Sequence, residues 1–232
     1  MSDRVTPSKY LKFVHSLVYM ANRLNNAKIK FPIWGTCLGF EALLLALSDF
    51  STPIENTLDD LNILLPAMID FSKKSILDEV FSNEELQHMS ANNIFHYGHR
   101  WGFLIEKMKD DSYVQASIDI VATTVTTHNQ KVIAAFQHKS YPYFGIQFHP
   151  EFGQFTHEDG VNIDKTEIGI EINRKFAAAV LELLKNTETR IMNSDVQKYK
   201  KDLLVTLKMF NQNEAFYHIP IGPTGEEQEM VL

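Results

Sequence analysis

The chain has 232 residues, 44% of them hydrophobic and 22% charged, an ordinary globular balance that can bury one sizeable core. A net charge of −7 without a run of basic residues argues against a nucleic-acid surface, and no apolar stretch is long enough to span a bilayer. With a single cysteine, an internal disulfide is excluded and the thiol is left for packing or for chemistry.

In chain order, Thr6-Pro7 reads as an N-cap followed by proline at the first helical position. The apolar stripe Tyr10, Phe13, Val14, Leu17, Val18, Ala21 and Leu24 then predicts a helix packed on a sheet. Ile29 to Trp34 is an extended run, and Phe40, Leu43, Leu44 and Leu47 resume helical spacing. Asp49 to Pro66 is mixed and turn-rich. Ser82-Asn83-Glu84-Glu85 reads as a capping box opening a short helix. Tyr113 to Thr127, Lys131 to Phe136 and Tyr143 to Phe148 are strand-like runs separated by short polar breaks, a local meander. Ile172, Phe176, Val180, Leu183 and Leu184 mark a helix covering a sheet face, and Asn193 to Lys208 reads as a further, more polar helix. One domain is expected over residues 1–221, with an acidic, mobile tail from Gly222 to Leu232.

Between the first predicted strand and the second helix lies Gly35-Thr36-Cys37-Leu38-Gly39, which sets the only cysteine on a sharp strand-to-helix turn. Glycines flank such a turn because a Cβ there would meet neighbouring backbone. The Leu38 N–H at the helix start is a ready oxyanion donor, and a helix N-terminus favours thiolate over thiol. A free cysteine is as readily a small core hydrophobe, so the reading turns on whether a base is brought to it. Phe144, Ile146 and Phe148 alternate as a strand does, His149 follows at the strand's C-terminal end, and Pro150 stops it. Chemistry in open α/β sheets collects at that end of the strands. Glu151 stands two residues beyond His149, placed to accept a hydrogen bond from the imidazole and fix its tautomer.

The strings PIWGTCLGFE, residues 32–41, and YFGIQFHPE, residues 143–151, resemble the nucleophile and histidine motifs of gamma-glutamyl hydrolases, a branch of the class I glutamine amidotransferase superfamily. The resemblance runs from about Lys9 to Ile221 and is strongest at these two motifs. It implies a three-layer αβα fold with a mostly parallel central sheet, flavodoxin-like, here shortened at its N-terminal side. It also implies a Cys37-His149-Glu151 triad with Leu38 as oxyanion donor and no cofactor. The substrate it implies is folylpoly-γ-glutamate or a related γ-glutamyl peptide. Glutaminases of the superfamily carry a polar pair after the second glycine; Phe40-Glu41 speaks against that branch. By the same resemblance His96 falls at a pocket-lining position. Arg100 could form a bidentate fork with a substrate carboxylate, and Glu41, one helical turn beyond Cys37, could face the site and order the pocket. Trp34 and Phe40 read as packing. His99, His128, His138 and His157 show no metal-ligand spacing, and no metal is expected.

Members of the branch carry strands and a glycine-rich loop ahead of the elbow, whereas only 36 residues precede Cys37 and none from Met1 to Trp34 is glycine. A sheet lacking the neighbour of the elbow strand has unpaired ladder groups. The expectation is therefore a homodimer or a partner chain completing the sheet, or a non-catalytic component of a larger assembly. The family resemblance implies a lysosomal, vacuolar or extracellular location, yet Met1-Ser2-Asp3-Arg4 leads straight into a helix without a secretory signal.

Overall fold

The computed structural model describes residues 8–152, 160–185, 187, 206–210 and 214–218. The chain divides into two compact units, Met1–Thr187 and Glu188–Leu232. In the second, Thr206–Phe210 and Glu214–His218 form an antiparallel hairpin. Residues 206–208 are thus strand where a helix over 193–208 was expected, and 193–205 and the predicted tail 222–232 lie outside the described residues.

The first unit is an α/β layer structure. Helix α1 (Lys9–Asn26) is capped by Ser8, whose hydroxyl accepts from Leu11 N–H at 3.2 Å, two residues later than the Thr6-Pro7 start expected from sequence. Its exit is fixed by Asn25. The Asn25 side chain accepts from Phe31 N–H and donates to Phe31 C=O, both at 2.9 Å, turning the chain into β1 (Ile33–Thr36). The elbow follows, then α2 (Leu38–Leu47), in which every residue from Phe40 to Leu47 is buried; a helix apolar on all sides must lie inside the protein. The capping box at Ser82 is present and opens α3 (Asn83–Ala91): Ser82 Oγ accepts from Glu85 N–H at 3.3 Å and Glu85 returns an oxygen to Ser82 N–H at 2.8 Å.

The short strands β2 (Ile63–Leu65) and β3 (Met68–Ile69) come first, and the expected strand from Tyr113 begins later. Asp111 Oδ1 accepts from Tyr113 and Val114 N–H, the cap that turns Ser112–Ser117 into a short helix, and β4 starts at Ile118. With β4 (Ile118–Val125), β5 (Lys131–His138) and β6 (Tyr143–Ile146), the predicted meander is in place. Its short connections, 126–130 and 139–142, permit only antiparallel pairing. The central sheet runs β1-β6-β5-β4 and ends on Met68–Ile69, and β1 with β6 is its single parallel pair among the described residues. The sheet is accordingly mixed rather than mostly parallel: the short meander links force antiparallel pairing, and Met68–Ile69 also pairs antiparallel with β4, across a long link.

Two apolar clusters sandwich this sheet. On one face, Phe40, Leu43, Leu44 and Leu47 pack with Phe103, Ile133, Phe136 and Tyr143. On the other, Phe144, Ile146 and Phe148 pack with Phe81, Phe95 and with Ile172, Phe176 and Leu183 of the long helix Glu167–Leu184. The α1 stripe is only partly used: Val18 and Ala21 are buried, whereas Phe13 is 66% exposed. That helix lies over α2 at the rim where β1 forms the sheet edge, and fewer neighbours reach it there. No helix among the described residues is long and apolar enough to cross a membrane.

Gly145, opposite Gly35 in the parallel ladder, leaves the space that two aromatic rings fill: a Cβ there would stand 2.7 Å from Phe136 Cε1 and 2.9 Å from Phe40 Cδ2. Gly145→Ala is therefore expected to lower stability by about 1–3 kcal/mol through overpacking. Urea denaturation monitored by far-UV circular dichroism reads this as a lower midpoint at unchanged slope.

Candidate active site

The parallel pairing of β1 and β6 sends both strands to the same rim, and the chemistry lies just past their ends. Register pairs Thr36 with Ile146, and Cys37 N–H still donates to Ile146 C=O at 2.9 Å, so the elbow begins while tethered to the neighbouring strand. Cys37 has φ 51° and ψ −112°, a conformation L-residues rarely hold and one typical of a strained turn that presents its side chain. The two flanking glycines differ in need. A Cβ on Gly35 would lie 2.6 Å from Gly39 O, so the turn requires glycine there, whereas a Cβ on Gly39 would meet nothing within 4 Å. The expectation that both are sterically required holds for Gly35 alone. Leu38 is the first residue of α2, so its N–H belongs to the turn whose donors have no intrahelical acceptor; its side chain is 47% exposed.

From β6 the chain continues through Gln147, whose N–H donates to Ala134 C=O at 2.8 Å, to His149, whose N–H donates to His96 C=O at 2.9 Å. His149 Nδ1–H donates to Glu151 Oε1 at 2.7 Å, and the Cys37 side chain lies near enough to bear on the imidazole. Burial opposes charge on this ring, but the Cys37 and Glu151 side chains, with the negative charge each can carry, push His149 up to about 9. A carboxylate on Nδ1 also fixes the tautomer and leaves Nε2 as the atom facing away from Glu151.

His96 lies against the cluster, its ring centroid 6.1 Å from that of His149 and its Nδ1–H donating to Asn162 C=O at 3.0 Å. Burial holds it below the ordinary imidazole range. Phe152 covers both rings, stacked at 4.5 Å on His149 and tilted at 4.8 Å on His96. Glu41 is placed differently from a residue open to ligand: it is 7% exposed and accepts from Gln147 Nε2 at 3.0 Å, and burial raises its carboxyl to about 7. Arg100 is exposed, and its hydrogen bonds run through its backbone carbonyl to Thr57 and Leu58; among the described residues its side chain forms no ion pair. Trp34 stacks on Phe144 at 5.0 Å, and Phe40 is fully buried.

Sequence reasoning passed over Phe152, Gln147 and Asn162. Phe152, immediately after Glu151, could have been found from its position; the Gln147–Glu41 bond joins residues 106 apart and has no local signal. His99 was read only for metal spacing. It is buried, donates from Nδ1 to Trp101 C=O at 2.7 Å, and is pushed down to about 4 by burial. Among the described residues no group of three His, Cys, Asp or Glu side chains is arranged to hold a metal ion.

Comparison with known proteins places these motifs in context. The glutamine amidotransferase class-I family model matches residues 11–165. The gamma-glutamyl hydrolase of Bos taurus is 31% identical over 124 residues, covering 52% of this chain and 37% of that protein. Its counterpart in Mus musculus is 30% identical over 129 residues, covering 54% and 39%. Gamma-glutamyl hydrolase 1 of Arabidopsis thaliana is 22% identical over 200 residues, 86% of this chain and 56% of that protein. The chain thus spans 37–56% of the length of these relatives. Because the family match takes in the elbow strand, Cys37 and the strand that ends at His149, this chain belongs to the class-I glutamine amidotransferase family.

Proposed function

We propose that this chain is a cysteine hydrolase of γ-glutamyl amide bonds, with Cys37 as nucleophile, His149 as general base and acid, and Glu151 as the residue that orients the imidazole. The observation that carries the reading is that the parallel strand pair brings Cys37 and a Glu151-bonded His149 past the same strand ends, with the Cys37 side chain near enough to bear on the imidazole. The names of the similar gamma-glutamyl hydrolases support a γ-glutamyl amide as the bond cleaved, and the resemblance of the two motifs implies folylpoly-γ-glutamate or a related γ-glutamyl peptide as its bearer.

In this mechanism Cys37 Sγ gives its proton to the imidazole and attacks the γ-carbonyl carbon. The carbonyl π electrons move onto oxygen, where the Leu38 N–H at the start of α2 stabilises the charge. When the tetrahedral intermediate collapses, the C–N bond breaks and His149 protonates the departing amine, leaving a γ-glutamyl thioester on Cys37. Water then gives a proton to the neutral imidazole and attacks the thioester. Collapse releases the free γ-carboxylate, and the proton returns to sulfur. Phe152, stacked on the His149 ring, shields one of its faces, and His96 beside them is assigned the lining of the glutamyl pocket.

A second reading follows from β1 lying at the sheet edge: a strand supplied by another chain along β1 would complete the sheet beside the nucleophile, making this chain a component of an assembly. The two differ in whether the chain alone turns over substrate.

Incubating the purified chain with a γ-glutamyl peptide, with release of the terminal amine followed by chromatography, is expected to show turnover that Cys37→Ala reduces to background. Equal release by both would refute the hydrolase reading. Glu151→Gln is expected to lower kcat by between about 10- and 10⁴-fold, since an orienting carboxylate fixes the productive tautomer. The same pair predicts a pH dependence of stability. His149 is raised from 6.5 to about 9 in the folded state, so the stabilisation its charged form receives is complete below 6.5 and is lost as pH rises through 9. The stability difference between wild type and Glu151→Ala, about 1 kcal/mol or less for so partly exposed a pair, is expected to shrink between about pH 6 and pH 10 in urea titrations.

A further inference from the structure

We propose that Glu41 is a positioning residue that carries its proton and clasps the Gln147 carboxamide head to head, holding the first turn of α2, and with it Cys37, against the strand end that delivers His149. The inference deepens the hydrolase reading and rests on it for its kinetic consequences.

Three observations carry it. First, the two side chains are buried, Glu41 at 7% exposure and Gln147 at 0%, and they meet through Gln147 Nε2–H donating to Glu41 Oε1 at 3.0 Å. Second, Gln147 Oε1 is buried and has no hydrogen-bond partner among the described residues. An ionised carboxylate has no proton to offer that oxygen. A protonated one does: its O–H donates to Gln147 Oε1 while its carbonyl oxygen accepts from Nε2–H, closing an uncharged two-bond ring that satisfies both side chains. Third, among the described residues no cation bears on Glu41. The groups that bear on it are the Gln147 amide and, from α1, the Tyr10 phenol, which burial and the Glu41 charge both push upward. Burying a carboxylate without a counter-charge is costly, and such a group neutralises instead. Burial alone drives Glu41 up to about 7 against the pull of the Gln147 bond, in line with that account.

The position explains the consequence. Glu41 N–H donates to Cys37 C=O at 3.1 Å, closing the first turn of α2, and Gln147 lies two residues before His149. The clasp therefore spans the two segments on which nucleophile and base are mounted. Neither side chain need touch substrate.

The test compares wild type with Glu41→Gln, which keeps an uncharged partner for Gln147, and Glu41→Leu, which keeps the volume and loses the hydrogen bonds. Infrared difference spectra between wild type and Glu41→Gln near pH 6 are expected to show the carbonyl band of a protonated carboxyl, fading as pH is raised through about 7. In the same window wild type is expected to lose stability relative to Glu41→Gln. A carboxyl raised from 4.5 to about 7 on folding contributes stability that is full below 4.5 and is lost as pH rises through 7. On a γ-glutamyl peptide, Glu41→Leu is expected to lower kcat about tenfold or more with KM within about twofold, and Glu41→Gln to recover most of that loss. No acid carbonyl band at pH 6 overturns the proposal, as does a Glu41→Gln variant whose KM rises about tenfold at unchanged kcat, the mark of a carboxylate that binds substrate. If Glu41→Leu does not fold, the infrared and pH-stability comparisons of wild type with Glu41→Gln decide. Those two readouts need no turnover, so failure of the hydrolase reading leaves them standing and the two failures are told apart.

Discussion

The site depends on one backbone constraint, the parallel register between β1 and β6. Because these strands run in the same direction, Cys37 and His149, 112 positions apart in sequence, finish at a common rim. The pairing of Gly35 with Gly145 is what makes the register compact. One glycine lets the Gly39 carbonyl fold back over the turn, the other lets Phe40 and Phe136 close on the sheet, and a Cβ on either would push the layers apart. A slip of one residue would exchange the two faces of β1 and turn the elbow away from the histidine.

That constraint also explains how the strained backbone at Cys37 persists. A non-glycine residue at φ 51° costs on the order of 1–3 kcal/mol and survives only where its surroundings over-determine it. Here the strand end is tethered by Cys37 N–H to Ile146 C=O, and the turn leads directly into α2, whose side chains from Phe40 to Leu47 are buried. Relaxing the turn would mean lifting that apolar helix off the sheet. Its transfer cost, of roughly 1.5–3 kcal/mol for each large side chain, exceeds the strain several times over. Local irregularity at the reactive residue is thus held by the least polar element of the fold.

Much of this was legible in the chain because it is local. The elbow glycine Gly35, the shared face of Phe144, Ile146 and Phe148, and the capping box at Ser82 are patterns within ten residues and have the structure their patterns imply, although the strand itself ends at Ile146 and Gly39 is not sterically required. What escaped was tertiary. Asp111 gives the backbone an alternative to the ladder and takes Ser112–Ser117 out of the strand that β-prone Tyr113 and Val114 favoured. Phe13 belongs to the apolar stripe by spacing yet is exposed, because amphipathicity states which face prefers burial and not whether a neighbour reaches it. The mostly parallel sheet is implied by the resemblance, whereas the short links of the meander already require antiparallel pairing, and the direction of Met68–Ile69, reached by a long link, has no local signal. At the site, residue types that suit a triad were readable, but the environment of Glu41 depends on Gln147 and on what fills the space around both.

The histidines show why environment decides role. His96, His99 and His138 are buried, and burial holds each below the ordinary imidazole range. His96 and His99 donate from Nδ1 to peptide carbonyls, those of Asn162 and Trp101, while His138 Nδ1 accepts from Ser140 and Tyr141 N–H. A peptide group fixes a tautomer but brings no net charge, so nothing repays the cost of burying an imidazolium and these rings stay neutral. His149 is enclosed too, yet its Nδ1–H meets a carboxylate and the Cys37 side chain bears on the ring. Together these two partners outweigh desolvation and drive the shift in the opposite direction. Of these four rings, His149 is therefore the one that can hold a proton inside the fold, and the parallel strand pair brings it to the rim where Cys37 lies.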